Sequence, residues 1–185
     1  MTFHLEQAIA VLERTPAILQ AWLEGLSEAW THRNYGPDTF SPFDVVGHLL
    51  HGEQTDWMQR LRRILEHGTK LPFEPFDRYA MYASSKGRSM TDLLVAFAQA
   101  RAKNLNDLKA LALTPMQLAS RGMHPALGEV TAQQLLGTWV AHDLNHLHQI
   151  AKAMAYQYRD EVGPWRAYLS ILPPITQGAV PTQSP

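Results

Sequence analysis

The sequence predicts an all-α protein, a four-helix bundle with a short C-terminal helix and one long inter-helix loop. Three observations carry this reading. Apolar residues recur at steps of three and four over four long segments, Ser- or Thr-led capping patterns open three of those segments, and strand signals are nearly absent. No internal repeat is visible. One domain over residues 1–172 is expected, with residues 173–185 as a mobile tail.

The first segment covers about residues 3–30, with Ile9, Leu12, Ile18, Leu19, Trp22, Leu23 and Leu26 on its apolar face. Thr15-Pro16 interrupts it, because proline after a capping threonine marks a fresh N-terminus or a kink. The second opens at "SPFD" with Ser41 as N-cap, Pro42 in the first position and Asp44 in the third, and it carries Val46, Leu49, Leu50, Trp57, Leu61 and Ile64. The third opens near Ser89–Asp92. The fourth opens at Thr131–Gln134 and runs to about Arg159, where Gly163-Pro164 stops it. A short fifth helix is expected over Trp165–Leu172.

Two connections are long. Residues 68–88, "GTKLPFEPFDRYAMYASSKGR", hold two prolines and four aromatic rings, and "TPMQLASRGMHPALGEV" joins the third and fourth helices. Loops of this length in a compact domain serve as lids and binding loops, or they pack over one end of the bundle.

Sixteen basic residues stand against seventeen acidic ones, with no Lys/Arg-rich run, so nucleic acid and acidic membrane surfaces have no electrostatic footprint here. Cysteine is absent, which excludes disulfides, thiolate ligands and a cysteine nucleophile. Any metal must therefore be held by imidazole or carboxylate. Glu6 and Glu13 precede any long apolar run and no stretch reaches membrane-spanning length, so a cytoplasmic location is expected.

The segment "GTWVAHDLNHLHQI" carries His142, His146 and His148. Residues four apart lie one turn above each other on a helix, so His142 and His146 can address a single ion, as the pair in HExxH does. His148 points elsewhere and reads as a bystander. Asp143 occupies the place of the HExxH glutamate without a claim to its role. An H-x3-H pair is weak evidence by itself, because histidine-rich helices often carry such pairs without a metal. A third ligand would have to come from another helix. On the second helix Glu53 falls nearest the apolar stripe and His48 lies away from it, so periodicity leaves the two open.

"SPFDVVGHLLHGEQTDW", followed about ninety residues later by "TWVAHDLNHLHQI", resembles the DinB-like superfamily over nearly the whole chain. The resemblance implies a four-helix bundle with a metal held by His48, His142 and His146, leaving Glu53 behind the ligands. For such an all-nitrogen site Zn²⁺ is the first candidate, with Ni²⁺, Fe²⁺ or Mn²⁺ possible. Some relatives are transferases or isomerases that use low-molecular-weight thiols such as bacillithiol or mycothiol. The expected activity is thus metal-activated thiol transfer to a small-molecule substrate. Alternatives are a non-catalytic, dimeric metal-binding or stress-related protein, and a metal-dependent hydrolase.

Other residues read as structural. Trp22, Trp30, Trp57 and Trp165 are expected to pack in the core or an interface. Asp77 and Arg78 are expected to pair and pin their loop, and His124 to face solvent. Arg101 and Asn104, a turn apart, are expected to touch a neighbouring loop.

Overall fold

The computed structural model describes residues 2–173. Residues 174–185, nearly all of the expected tail, lie outside the described residues. The chain forms α1 (Leu5–Leu12), α2 (Thr15–Leu23), α3 (Glu28–Thr31), α4 (Pro42–Thr55), α5 (Trp57–His67), α6 (Met81–Ser85), α7 (Met90–Ala110), α8 (Pro115–Leu118), strands β1 (Arg121–His124) and β2 (Gly128–Thr131), and α9 (Ala132–Tyr156). Four limbs make the bundle: α1 with α2, α4 with α5, α7, and α9. The first limb packs on α7 and α9, and so does the second.

Each long limb begins as its sequence dictates. Ser41, Ser89 and Thr131 accept the backbone N–H three residues on, and Asp44, Asp92 and Gln134 reach back to the cap, closing three capping boxes. The limbs are less continuous than expected. Pro16 lacks a backbone N–H and sits at the start of α2, so the first limb breaks between α1 and α2. Thr15 does not cap that break. Its hydroxyl turns inward and donates to Asp143 Oδ2 at 2.6 Å. The second limb breaks at Asp56 (φ −120°, ψ −74°), just after Thr55 bonds back to the His51 carbonyl, a bond that competes with the helical ladder.

The expected fifth helix is a 3₁₀ turn over Gly163–Tyr168, and α9 ends at Tyr156 rather than Arg159. β1 and β2 form an antiparallel hairpin that the strand signals did not announce. Its turn uses Gly128 at φ +76°, a left-handed conformation suited to glycine. The hairpin lies against α5 so closely that a Cβ on Gly122 would stand 2.6 Å from Ile64 Cγ1. Phe73 of the long 68–88 connection donates its backbone N–H to the Met123 carbonyl, tying the two connections together.

The apolar core falls into two clusters. One holds Leu12, Trp57, Leu61, Ile64, Leu105, Leu108, Leu136 and Trp139; the other holds Leu19, Leu23, Val46, Leu50, Leu93, Phe97 and Ile150. Between them along every limb comes a buried polar residue: Thr15, Glu53, Arg101 with Asn104, and Asp143. A polar belt therefore crosses the middle of the bundle. Among the tryptophans expected to pack, Trp57 is core and Trp30 meets the Tyr158 edge, but Trp22 and Trp165 are exposed.

Candidate metal centre

His48 projects from α4 and is 5% exposed; His142 and His146 project from one face of α9. Of His48 and Glu53, between which helical periodicity did not choose, packing sets His48 beside the α9 pair and turns Glu53 into the bundle interior. His142 Nε2 lies 3.1 Å from His48 Nε2 and 3.0 Å from His146 Nε2. Among the described residues, these three are the group of potential metal ligands that the fold brings together. His148 is exposed and takes no part.

The donor set fits a divalent cation. His146 Nδ1 lies 2.9 Å from Gln149 Oε1, an acceptor, so the proton sits on Nδ1 and the Nε2 lone pair faces inward. His142 Nε2 has an imidazole nitrogen on either side and one proton at most to offer. Two nitrogens bound to one ion by bonds of about 2.0–2.1 Å stand roughly 3–3.4 Å apart, which matches the observed spacing. Protonation is disfavoured throughout. Burial, then the neighbouring His146 and His48, hold His142 down at about 2. Burial, then His146 and Arg78, hold His48 down at about 3. Burial also lowers His146, against Gln149 and Asp143, which favour its charged form. The imidazoles are thus held in the form a metal needs. Among the described residues, His48 Nδ1 and His142 Nδ1 have no hydrogen-bond partner.

Behind the histidines lies an ionic cluster that the sequence reading placed incorrectly. Arg101 and Asn104 do not touch a loop; both are buried, Arg101 to 1% exposure. Arg101 donates to both Asp143 oxygens at 2.6 and 3.0 Å, to Glu53 Oε1 at 2.8 Å and to the Leu12 carbonyl at 2.9 Å. Asn104 donates to Glu53 Oε2 at 3.0 Å and to the Glu53 carbonyl at 2.7 Å, and Trp139 Nε1 donates to Glu53 Oε1 at 3.0 Å. Burial raises the Glu53 carboxyl while Arg101 pulls it down. Glu53 is therefore held by other side chains, away from the ligand nitrogens. The cluster ties together all four limbs, including the two that carry the histidines. Its signal was present: Arg101 lies four residues from both Phe97 and Leu105 on the apolar stripe of α7, where a cation has to be paired.

The histidines open onto a cleft of about 630 Å³, walled by Phe40, Trp57, Phe73 and Phe76. Trp57 meets His142 edge-on at 5.1 Å and stacks on Trp139 at 5.5 Å, while Phe76 meets His48 edge-on at 5.6 Å. The 68–88 connection and the β1–β2 hairpin supply one side of the cleft. His124 is half-buried there rather than turned to solvent; its Nδ1 accepts the Ala126 and Leu127 backbone N–H groups. The expected Asp77–Arg78 ion pair does not form among the described residues. Asp77 Oδ1 accepts the Tyr79 N–H at 2.9 Å, and Arg78 lies over the Phe40 and Tyr79 rings. Asp56, at the helix break, pairs with Arg60 at 2.5 Å on the cleft wall.

The same architecture occurs in a known structure. YfiT from Bacillus subtilis, described as "a probable metal-dependent hydrolase with an unusual four-helix bundle topology", superimposes with a TM-score of 0.70 at 23% sequence identity, covering 85% of this chain and 87% of that one. No curated protein matches the sequence. No described helix is long and apolar enough to cross a membrane. The family model described as the DinB superfamily matches residues 11–150, most of the bundle with all three clustered histidines, and the chain belongs to that superfamily.

Proposed function

We propose that His48, His142 and His146 bind a divalent metal ion and that the centre catalyses transfer chemistry on a small molecule, with a low-molecular-weight thiol as co-substrate. The observation that carries this reading is the convergence of three neutral imidazoles at the wall of an aromatic cleft of about 630 Å³, a volume in the range of small-molecule sites. A ligand set sealed inside the core would favour a non-catalytic metal protein. A divalent ion there supplies Lewis acidity, lowering the pKa of a water or thiol that reaches it. Zn²⁺ suits an all-nitrogen set, and Ni²⁺, Fe²⁺ or Mn²⁺ are admissible.

The chain's own residues do the rest. Phe40, Phe76 and Trp57 exclude bulk water from the ligand face. Gln149 fixes the tautomer of His146. Hydrolysis is the second reading, favoured by Asp56, a carboxylate on the cleft wall whose pKa burial raises against the pull of Arg60 and His51.

Protein purified without an affinity tag is assayed for metal, then for turnover of electrophiles with and without a panel of small thiols. Bound metal and turnover only with thiol is the expected result. Metal-dependent ester or amide cleavage without thiol would select the hydrolase. Bound metal with neither activity would leave a metal-binding protein.

A further inference from the structure

We infer that the cleft takes a carboxylate-bearing small molecule, with the acid group seated at Arg78 and the reactive end at the three-histidine cluster. The inference deepens the proposed function and rests on it for the reactive end alone.

Arg78 lines the cleft without an acidic partner among the described residues. Its guanidinium carbon stands 5.2 Å from the centre of the Phe40 ring, and that ring packs against the His48 ring at 5.7 Å. A guanidinium held over aromatic rings rather than by a carboxylate keeps N–H groups available for a forked, bidentate acceptor. The nearest acid in sequence, Asp77, is engaged by the Tyr79 backbone N–H. The other cation on the wall, Arg60, is already paired with Asp56. One cation is thus left for a ligand, which matches a single negative charge better than a doubly charged phosphate.

The remaining polar groups agree. Gln149 spends its carbonyl on His146, leaving its NH₂ group as a donor. His124 spends Nδ1 as an acceptor of two backbone N–H groups, so its proton is on Nε2. Arg78, Gln149 and His124 therefore each offer the cleft a donor, while its aromatic side chains suit an apolar body. That combination describes an organic acid.

The test compares 3-phenylpropionate with 3-phenylpropionamide by titration calorimetry, using the full chain both metal-loaded and after chelation. The acid is expected to bind about tenfold or more tightly than the amide in both states, as a charge-assisted hydrogen-bonded pair allows. Arg78→Gln should bring the two within about twofold while circular dichroism and metal content stay unchanged. Equal binding of acid and amide to the wild-type chain would overturn the inference. So would an acid preference that survives Arg78→Gln, because the metal or another group would then be the anion's seat. If the chain binds no metal yet shows an Arg78-dependent acid preference, the acid seat stands and the metal-centre reading fails.

Discussion

Two polar clusters sit side by side in the middle of this bundle, and they are built on opposite principles. The histidine cluster is neutral. Its three Nε2 atoms converge on one point where protons can satisfy them only in part, two of its other ring nitrogens lack partners among the described residues, and it faces a cleft. The Arg101 cluster is ionic, and each carboxylate oxygen of Glu53 and Asp143 accepts a hydrogen bond from within the protein, with Arg101 Nε alone of the guanidinium nitrogens left without a partner among the described residues. Adjacent residues serve the two: His142 belongs to the first and Asp143 to the second. One cluster is arranged to receive a group from outside, and the other holds the helices that present it. A buried ion cluster adds little net stability compared with apolar packing, but breaking it in part is costly. Its use here is to fix α4 against α9.

The largest expected effect comes from breaking the ionic cluster. Arg101→Met leaves Glu53 and Asp143 buried without their cation and should destabilise the chain by about 3–5 kcal/mol, lowering Tm by roughly 6–20 °C. Differential scanning calorimetry measures it. Replacing Arg101, Glu53 and Asp143 together by apolar residues should recover most of that loss. If the triple variant is no better than Arg101→Met, the cluster contributes more than mutual neutralisation.

Acid sharpens the contrast from the other side. The folded-state pKa values of His48 and His142 lie at about 3 and about 2, and that of His146 is also lowered. Above about pH 6.5 folded and unfolded chains both carry neutral histidines, and these groups add no pH dependence. As pH falls below that value the unfolded chain takes up protons that the folded chain refuses, so stability declines. Three such groups give a slope approaching about 4 kcal/mol per pH unit. The raised pKa of Glu53 works in the opposite direction and makes the decline shallower. Urea unfolding of the metal-free chain between pH 7 and pH 5 measures this slope, and His142→Asn should reduce it by about a third. Burial also moves metal release below the pH 6 to 5 window that unperturbed imidazoles would give. Release complete by pH 6, followed by elemental analysis after desalting, would show that the imidazoles are not held neutral.

Removing a ligand should cost less stability and more metal. His48→Ala, His142→Ala or His146→Ala is expected to weaken metal binding by more than about 100-fold, exceeding the range for outer-shell changes. Helical circular dichroism should hardly change, and chelation of the wild type should likewise leave it intact, because apolar faces stabilise the fold. Loss of helicity on chelation would make the site a structural staple. The smallest effect belongs to the groups around the ligands: Gln149→Ala should weaken binding by about tenfold, and His148→Ala not at all.

The sequence exposed the four limbs and their capped starts, because helical periodicity and capping boxes are local. It exposed the His142/His146 pair for the same reason. His48 was different: its angle on α4 points away from the apolar stripe, and only the family resemblance brought it to the pair. The Arg101 cluster was hidden because its partners come from four limbs, up to 128 residues apart for Thr15 and Asp143. The hairpin was overlooked because each strand has four residues, too few for alternation to register. Thr15 shows the limit most simply. A threonine before a proline looks like a cap, and only the packed bundle reveals that its hydroxyl is needed by Asp143.

The division between helices and connections has an evolutionary consequence. His48, His142 and His146 stand on the rigid limbs, whereas Phe73, Phe76, Arg78 and His124 stand on the 68–88 connection and the hairpin. Inheritance can therefore act on the two sets separately. Exchange of residues at the hairpin turn or around Phe76 and Arg78 would redraw the cleft while the histidine triangle and the belt behind it stay fixed. Gly122 marks where that freedom ends, since any side chain there would push the hairpin off α5. Lineages sharing this scaffold should diverge in the molecules they accept well before they diverge in the centre that acts on them.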